Sequence, residues 1–320
     1  MSILLTGGSG FIGGHFHNYL EKSQLINFDL VPPSQLKDSI FFQGDIRLKE
    51  DLRKVFGGHK IDTIISLAAK HHDFGIGHDE YFDTNEEGTR MLCEVAAEFN
   101  VNKIVFYSSV AVYGLLEKAS SENFEPNPSS PYGASKLAGE EVLKKWASGN
   151  PQRSVLIMRP ALVFGANNRA NMFNLIKQID SGLYFHLGKA SNVKSIAYVE
   201  NLVMATLYLK DKIPSGFSVY NYADEPQLSS REIADVIANA LRKKVHFTFP
   251  LWLGLGLALP FDIIIKITGK NLPISSARVR KLATETQHSA IKVKQSGFYP
   301  NFTTREGLIK MVNWYKQNKN

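Results

Sequence analysis

The feature that most constrains this chain is a run of spaced glycines directly after a short apolar segment. Residues 2–6 predict a strand, residues 11–22 have helical spacing, and Gly7, Gly10 and Gly13 recur between them at every third position. A tight strand-to-helix turn needs a residue that can adopt positive φ, and close approach of the backbone to a pyrophosphate excludes a side chain. The first helical N–H groups then face the phosphates. The pattern predicts a dinucleotide-binding turn.

An acidic residue at the end of the next predicted strand indicates which dinucleotide is bound. Asp29 closes the apolar stretch 25–29, 22 positions after Gly7. A carboxylate there accepts hydrogen bonds from the adenosine ribose hydroxyls and repels a 2′-phosphate. Because no arginine close to Asp29 in the sequence is placed to hold that phosphate, we expect the cofactor to be NAD rather than NADP.

Strand and helix patterns alternate through the first half of the chain, which predicts an α/β fold with a Rossmann-type doubly wound parallel sheet. The predicted strands are 2–6, 25–29, 40–43, 62–67, 103–107 and 154–158, and the predicted helices are 11–22, 47–55, 79–99 and 131–148. Further helices are predicted at 171–181, 200–210, 229–241 and 304–317, with a strand at 217–221. We expect an NAD-binding domain of residues 1–165 plus about 194–222, and a smaller, discontinuous substrate-binding lobe of residues 166–193 and 223–320.

Charge and cysteine content narrow the partners and the compartment. The formal net charge is +7, which favours anionic partners. We recognise no nucleic-acid-binding module, so phosphorylated substrates or an anionic membrane surface are favoured over nucleic acid. Cys93 is the only cysteine, so an internal disulfide is excluded. Since the first strand begins at residue 2, we also expect no signal peptide and a cytoplasmic protein.

The apolar stretch 250–265 has two open interpretations. It is too short to span a bilayer and is interrupted by Pro260 and Asp262. Lysines flank it on both sides and it contains a tryptophan, features that suit a helix lying in a membrane interface. Alternatively, it forms a buried helix pair within the smaller lobe.

A tyrosine and a lysine four residues apart open the predicted helix 131–148. This spacing places Tyr132 and Lys136 on one helical face. An ammonium group close to a phenol stabilises the phenolate and lowers its pKa. Tyr132 could then act as a base near neutral pH.

These motifs together resemble the extended short-chain dehydrogenase/reductase family, in its NAD-dependent epimerase/dehydratase branch. The resemblance rests on the glycine turn 6–13, on Phe-Tyr-Ser-Ser-Val-Ala-Val-Tyr-Gly at 106–114, and on Tyr-Gly-Ala-Ser-Lys at 132–136. It implies catalytic roles for Ser109, Tyr132 and Lys136. It implies cofactor binding by Gly7, Gly10, Phe11, Ile12, Gly13, Asp29, Asp45, Ile46, Leu67, Ala68, Ala69, Asn85, Ser108, Tyr132, Lys136 and Pro160. It implies substrate binding by Ser109, Asn171, Lys194 and Arg278, although Lys194 could equally be solvated and Arg278 could lie on a surface edge.

The resemblance also implies a reaction. Family members remove a proton from a sugar hydroxyl while a hydride passes to NAD, and return the hydride in epimerases. Dehydratases of the family carry Asp-Glu where this chain has Val110 and Ala111, so dehydration is disfavoured. An epimerase and a 4-keto reductase remain, and Asp29 favours the epimerase.

A closer resemblance concerns bacterial 4-epimerases of lipid-linked N-acetylglucosamine. It rests on residues 108–114, 194–199, 219–224, 267–270 and 275–280. It implies a diphospho-sugar substrate, N-acetylglucosaminyl-diphospho-undecaprenol, converted to its galactosamine epimer for O-antigen assembly, with 250–265 on the cytoplasmic face of the inner membrane. A uridine-diphosphate sugar stays open as the substrate.

Other interpretations stay open at this point. A hydroxysteroid-type dehydrogenase shares the expected architecture, and a silent NAD-sensing protein would share the fold but normally loses the tyrosine or serine. His71, His72 and Asp73 do not make a metal site, because adjacent histidines rarely converge on one ion. We expect a homodimer formed through helices 79–99 and 131–148.

Overall fold

The structure, a computed structural model, describes residues 2–33, 40–71, 77–114, 119–268, 275–276, 279–280 and 284–319. The described chain divides into two compact units. The first unit comprises residues 1–163, 199–223 and 288–301, and the second comprises residues 164–198, 224–287 and 302–320.

The first unit alternates strands and helices. Its strands are β1 (Ile3–Thr6), β2 (Leu25–Asp29), β3 (Ile40–Gln43), β4 (Thr63–Ser66), β5 (Lys103–Tyr107), β6 (Ser154–Pro160) and β11 (Gly216–Tyr222). Its helices are α1 (Phe11–Phe16), α2 (Lys49–Gly58), α3 (His78–Phe82), α4 (Gly88–Glu98), α5 (Pro131–Ser148), α7 (Val199–Lys210) and α10 (Ile291–Gln295), with 3₁₀ turns at Lys22–Gln24 and Val110–Tyr113 and a π turn at Asp83–Glu87.

Seven strands of the described chain form one parallel sheet in the order β11-β6-β5-β4-β1-β2-β3. The order reverses at β1, which pairs with β2 on one side and β4 on the other, so that Thr6 lies opposite both Phe28 and Ser66. In open parallel sheets, ligands bind at the carboxyl ends of the strands beside such a reversal. The predicted Rossmann-type sheet is confirmed.

Apolar side chains cover both faces of the central strands, as expected when helices pack on each side of a parallel sheet. Every residue of β1, β4 and β6 is buried. One large core cluster includes Leu4, Ile64, Leu92, Val155 and Ile157. Cys93 belongs to this cluster, and burial raises the pKa of its thiol to about 12. The cysteine is therefore a packing residue of the core.

The second unit contains short strands and longer helices. Its elements are β8 (His186–Leu187), β9 (Val193–Lys194), β10 (Ile196–Tyr198), β12 (Leu228–Ser229), α6 (Asn171–Asp180), α8 (Ser230–Leu241), β13 (Thr248–Phe249), α9 (Leu251–Thr268) and α11 (Thr304–Asn318). Ser229 and Thr303 each form a capping box, with Glu232 and Glu306 respectively. Strand β7 (Leu162–Phe164) runs across the boundary between the units.

Three expectations differ from the structure. Helix α1 ends at Phe16 rather than at residue 22, because the N–H groups of Asn18 and Tyr19 donate to carbonyls three residues back and form turns. The expected single helix 79–99 is α3, the π turn and α4 in succession. Residues 288–301, expected in the lobe, lie in the first unit, where the Lys292 ammonium donates to the carbonyl of Val219 on β11 at 2.6 Å.

Candidate dinucleotide and active site

The glycine turn has no room for side chains at Gly7 and Gly13, because neighbouring backbone lies too close at both positions. Gly7 has φ of +71°, and a Cβ placed on it would lie 2.6 Å from the backbone nitrogen of Ala68. A Cβ on Gly13 would lie 2.5 Å from the Cα of Gly8. At the first position the turn lies against the loop after β4, and at the second the start of α1 lies against the turn itself.

The backbone of the turn stays accessible where a phosphate is expected. Gly10 is exposed and precedes α1 in extended conformation, and its N–H donates to the Gly7 carbonyl at 3.1 Å. Phe11 and Ile12 begin α1 and are half-buried. Sequence reasoning missed Gly8, whose Cβ would lie 2.4 Å from the side-chain oxygen of Asn27.

Asp29 lies at the carboxyl end of β2 and holds the glycine turn. Its two oxygens accept hydrogen bonds from the backbone N–H of Ser9 at 3.0 Å and of Val31 at 3.3 Å. The carboxylate is thus fixed beside the turn and half-buried, where ribose hydroxyls could reach it.

Asp45 follows β3 and is held by a residue that sequence reasoning missed. The guanidinium of Arg47 donates to both carboxylate oxygens of Asp45, with the shortest contact at 2.5 Å. This hydrogen bonding holds the pKa of Asp45 below its usual value. Ile46 between them is buried, and the start of α4 lies close enough that a Cβ on Gly88 would meet its Cγ2 at 2.8 Å.

Asn85 connects the loop after β4 to the helix that carries Tyr132. Its side chain accepts from the Lys70 N–H at 3.0 Å and donates to the Lys70 carbonyl and to the Ser135 hydroxyl. Ser135 in turn donates to the Tyr132 carbonyl at 2.9 Å. Since Leu67, Ala68 and Ala69 directly precede Lys70, Asn85 fixes one end of this loop.

The π turn explains how Asn85 faces inward. It adds a residue to the helical turn between α3 and α4, a feature that is common at functional sites. A Cβ on Gly139 of α5 would lie 2.6 Å from the Asn85 carbonyl oxygen. The absence of a side chain at Gly139 therefore lets α5 pack directly on the π turn.

Two serines follow β5 and face different partners. Ser108 is buried, and its hydroxyl donates to Glu140 at 2.5 Å. Ser109 is half-buried, and its hydroxyl accepts from the Ala111 N–H at 3.1 Å and caps the 3₁₀ turn Val110–Tyr113. A Cβ on Gly133 would lie 2.4 Å from the Ala111 carbonyl, so the first turn of α5 packs against the turn that Ser109 caps.

Tyr132 and Lys136 occupy the first two turns of α5, which Ser130 caps through the N–H of Gly133. Tyr132 is half-buried, and its ring centroid lies 6.3 Å from that of Tyr81. Lys136 is 2% exposed, and its ammonium donates to the Tyr107 carbonyl at 2.7 Å. Burial lowers the pKa of Lys136 to about 7, against the opposing effect of the Glu140 charge.

A buried ion pair lies beneath these groups. Glu140 stands one helical turn after Lys136, and both of its oxygens accept hydrogen bonds from Arg159 of β6, at 2.9 and 2.5 Å. The same carboxylate accepts the Ser108 hydroxyl. The Glu140 carboxylate thus interacts with Lys136 of α5, with Ser108 just after β5 and with Arg159 of β6. The sequence signal for it was an acid four residues after Lys136, on the same helical face.

The Glu140–Arg159 ion pair is connected to further, neutral side chains by hydrogen bonds. Arg159 also donates to the Tyr113 hydroxyl at 2.9 Å, and this hydroxyl donates to Asn221 of β11 at 2.8 Å. His288 stacks on the Tyr113 ring and hydrogen-bonds Ser120, and burial lowers its pKa to about 4. A neutral His288 suits this position beside a buried guanidinium network.

The residues of the first unit fit a dinucleotide. The glycine turn leaves no room for side chains where a pyrophosphate would approach, and the Asp29 carboxylate stands beside it. The buried cluster of Asn85, Ser108 and Lys136 lies around the carboxyl end of β5 and the start of α5, while Pro160 is buried at the carboxyl end of β6.

Two of the predicted substrate residues, Asn171 and Lys194, are described residues of the second unit. Asn171 is exposed at the first position of α6. Lys194 on β9 is half-buried, and its ammonium donates to the Thr284 carbonyl at 2.5 Å. Arg278 lies outside the described residues, as do His72 and Asp73. Within the part of the chain that the structure describes, His, Cys, Asp and Glu side chains form no group of three able to hold a metal.

Comparisons with known proteins agree with this geometry. The profile of the "NAD dependent epimerase/dehydratase family" matches residues 3–223. The N-acetyl-alpha-D-glucosaminyl-diphospho-ditrans,octacis-undecaprenol 4-epimerase of Escherichia coli O157:H7 is 36% identical over 98% of this chain and 95% of its own. The UDP-glucose 4-epimerase of Yersinia enterocolitica is 28% identical over 100% and 99%.

Solved structures agree on the fold. The UDP-glucuronic acid 4-epimerase of Bacillus cereus, in complex with NAD, superposes with a TM-score of 0.78 and 22% identity over the full length of both chains. The family profile and the E. coli relative establish what the resemblance of the motifs indicated: this chain belongs to the NAD-dependent epimerase/dehydratase family.

Proposed function

We propose that this protein is an NAD-dependent C4 epimerase of an N-acetylhexosamine diphosphate. The proposed reaction converts N-acetylglucosaminyl-diphospho-undecaprenol to its N-acetylgalactosaminyl epimer, for O-antigen or related polysaccharide assembly. The E. coli relative, similar over nearly the whole chain, supports the lipid-linked substrate. The first unit serves as the NAD-binding domain and the second as the substrate-binding lobe.

The single observation that carries the proposal is the close packing of α5 against the turn after β5. Through Gly133, the helix that carries Tyr132 and Lys136 lies directly on the turn that Ser109 caps. The three groups that the chemistry requires thus belong to two elements in direct contact.

The residues take the following roles in this proposal. Tyr132 removes the proton of the C4 hydroxyl, Ser109 hydrogen-bonds the reacting oxygen, and the Lys136 ammonium stabilises the phenolate and holds the nicotinamide ribose. NAD, held by Lys136 and the glycine turn, would supply a reversible hydride acceptor for C4 of the sugar. Ser108 lines the nicotinamide side, and Asn171, Lys194 and Arg278 bind substrate.

The adenosine half is held by a separate set of residues. The backbone at Gly7, Gly10 and Gly13 approaches the pyrophosphate, and Asp29 accepts hydrogen bonds from the ribose hydroxyls. The remaining proposed contacts are those of Phe11, Ile12, Asp45, Ile46, Leu67, Ala68, Ala69, Asn85 and Pro160.

Two further elements of the proposal concern assembly and location. We expect a homodimer through the α3–α4 segment and α5, and a cytoplasmic protein that contacts the inner membrane through residues 250–265. Among the described residues, no helix combines the length and apolar content needed to cross a bilayer.

The test incubates the purified protein separately with radiolabelled N-acetylglucosaminyl-diphospho-undecaprenol in detergent and with UDP-N-acetylglucosamine. Galactosamine released from the lipid substrate, lost in Tyr132→Phe and retained in the exposed control Tyr299→Phe, is the expected result. We expect a loss of about 10²–10⁴-fold in Tyr132→Phe, the usual contribution of a general base.

A second candidate function is 4-epimerisation of a UDP-linked sugar. The full-length similarity to the Yersinia enterocolitica UDP-glucose 4-epimerase favours it. Conversion of the nucleotide sugar alone would keep the mechanism and replace the substrate. Absence of an epimer from either substrate without added reductant would contradict both, and would point to a 4-keto reductase or a hydroxysteroid-type dehydrogenase.

A further inference from the structure

An unusual concentration of exposed apolar side chains lies in the second unit. Apart from Ile309 of α11, nine large apolar residues in the described part of this unit are at least 37% exposed. They are Leu183, Phe185, Phe247, Phe249, Trp252, Leu257, Leu259, Ile263 and Ile264. We call this set the apolar surface. Patches of this kind on a soluble protein mark sites of interaction.

The strand pair β8–β13 builds one half of the apolar surface, which sequence reasoning missed. Thr248 pairs with His186 and Phe249 with Leu187. Phe249 lies between two other exposed rings, with its centroid 5.0 Å from Phe185 and 6.2 Å from Phe247. Three exposed aromatic side chains, Phe249 of β13 and the residues just before β8 and β13, therefore lie together.

Helix α9 builds the other half. Trp252, Leu259 and Ile263 are spaced by seven and four residues, so they lie on one face of the helix. On the other side, Ala258 is buried, and a Cβ on Gly254 would lie 2.8 Å from Leu187 of β8. This close packing joins the helix and the strand pair into one continuous surface.

Exposed arginine and lysine residues adjoin the elements of the apolar surface along the chain. Arg242, Lys243 and Lys244 precede β13, Lys266 stands near the end of α9, and all four are exposed. Asp262, the acid of α9, accepts the Ser276 N–H at 3.0 Å and is only half exposed. We call these four cations, which lie where the chain enters β13 and near the end of α9, the rim of the surface.

We propose that the apolar surface, with these four cations, docks the protein on an anionic lipid bilayer. Exposed Trp and Phe beside aliphatic side chains match the headgroup–acyl boundary, and lysine and arginine at the rim match anionic headgroups. This deepens the proposed function, since a substrate with an undecaprenol chain resides in a membrane.

The test measures sedimentation of the full chain, with NAD added, on vesicles of phosphatidylcholine with or without phosphatidylglycerol. We expect binding only to the anionic vesicles, and weaker binding in high salt. Trp252→Ser combined with Ile263→Ser should weaken binding at least about tenfold. Replacing Lys243 and Lys244 with glutamine should weaken it about fivefold per lysine.

The matched control is Tyr299→Ser, an aromatic residue of similar exposure (70% against 72% for Trp252) in the first unit. It should bind vesicles as the unaltered chain does. Blue-shifted fluorescence on vesicle binding, lost in Trp252→Phe, should place Trp252 in the lipid. Thermal unfolding of each variant confirms that it is folded.

Two results would overturn the docking proposal. One is equal binding of the chain to neutral and anionic vesicles, or no binding to either. The other is unchanged vesicle binding in the Trp252/Ile263 variant, and if sedimentation velocity then shows loss of a dimer, the surface contacts a second copy. Epimerisation of the lipid substrate in detergent tests the proposed function independently, because it requires no bilayer.

Discussion

At the scale of single residues, the chemistry of the candidate site depends on a lysine held in an apolar environment. Burial brings the pKa of Lys136 to about 7, and the Glu140 carboxylate one helical turn away opposes this decrease. In the proposed mechanism, the charge that would stabilise a Tyr132 phenolate thus depends on a residue that is not expected to touch substrate. We regard Glu140 as a positioning residue.

Glu140→Gln should therefore change the pH dependence of the reaction. Without the negative charge the pKa of Lys136 falls further, so the ammonium is lost at lower pH and the alkaline limb of kcat/KM moves toward acid. The measurement is a pH–rate profile between about pH 5.5 and 9.5. A purely structural role for Glu140 would lower the rate equally at every pH.

The matched control for this variant is Glu141→Gln. Glu141 is the adjacent residue, is exposed and pairs with Lys144 at 3.7 Å. Its profile should stay unchanged. A shift of the same size in both variants would contradict the role assigned to Glu140.

Local spacing was sufficient to nominate Tyr132, Lys136 and Asp29, because each is defined by neighbours a few residues away. The partners of Glu140 could not be found in this way. Arg159 lies 19 residues further on, in β6, and Ser108 lies 32 residues earlier, just after β5. Only the register between β5 and β6 brings them together at one carboxylate.

At the scale of elements, the contact between α5 and the π turn holds the site together. Most strand and helix positions follow from apolar periodicity, and α5 matches its predicted bounds. The π turn does not, because one added residue in a helix leaves no mark in that periodicity. Likewise, the predicted stretch 250–265 is a continuous helix, α9, across Pro260, with much of its apolar surface exposed.

Gly139→Ala should destabilise the protein by about 1–2 kcal/mol. The added methyl would lie 2.6 Å from the Asn85 carbonyl and 3.0 Å from the Phe106 ring, and the cost of overpacking exceeds the gain in helix propensity. Chemical denaturation measures the change. Displacement of Asn85 should also lower kcat.

Gly57→Ala in α2 is the control for this variant. A Cβ there would meet no atom within 4 Å, so only the propensity gain remains. Stability should stay the same or rise by up to about 1 kcal/mol. Equal destabilisation in both variants would show that the packing at Gly139 is not the cause.

For the molecule as a whole, we expect NAD to stabilise the fold, and to stabilise it more than NADP does. NAD at about 100 times its Kd adds roughly 2.7 kcal/mol, which raises the Tm by about 4 °C in a protein of this size. NADP should give a smaller shift, because its 2′-phosphate would face the Asp29 carboxylate. Differential scanning calorimetry compares the two, and equal shifts would contradict the assignment of NAD.

The sequence predicted the class of the fold and two units, but not the full path of the chain between them. Residues 288–301 join the first unit through contacts such as that of Ser120 with His288, at 2.6 Å between side chains 168 residues apart. No local pattern reports such a distant pairing. The edge strand β11 is a different case, because its residues lie within 194–222, the stretch that the sequence already placed with the first domain.

That path has a consequence for synthesis of the protein on the ribosome. Strand β6 is complete at Pro160, but its partner β11 emerges only with residues 216–222, after the first part of the second unit. Until then β6 presents an open edge, which in a nascent chain is a template for pairing with another polypeptide. We therefore expect the nascent chain to need chaperone binding at this edge, or rapid synthesis of residues 161–222, to avoid aggregation before β11 pairs with β6.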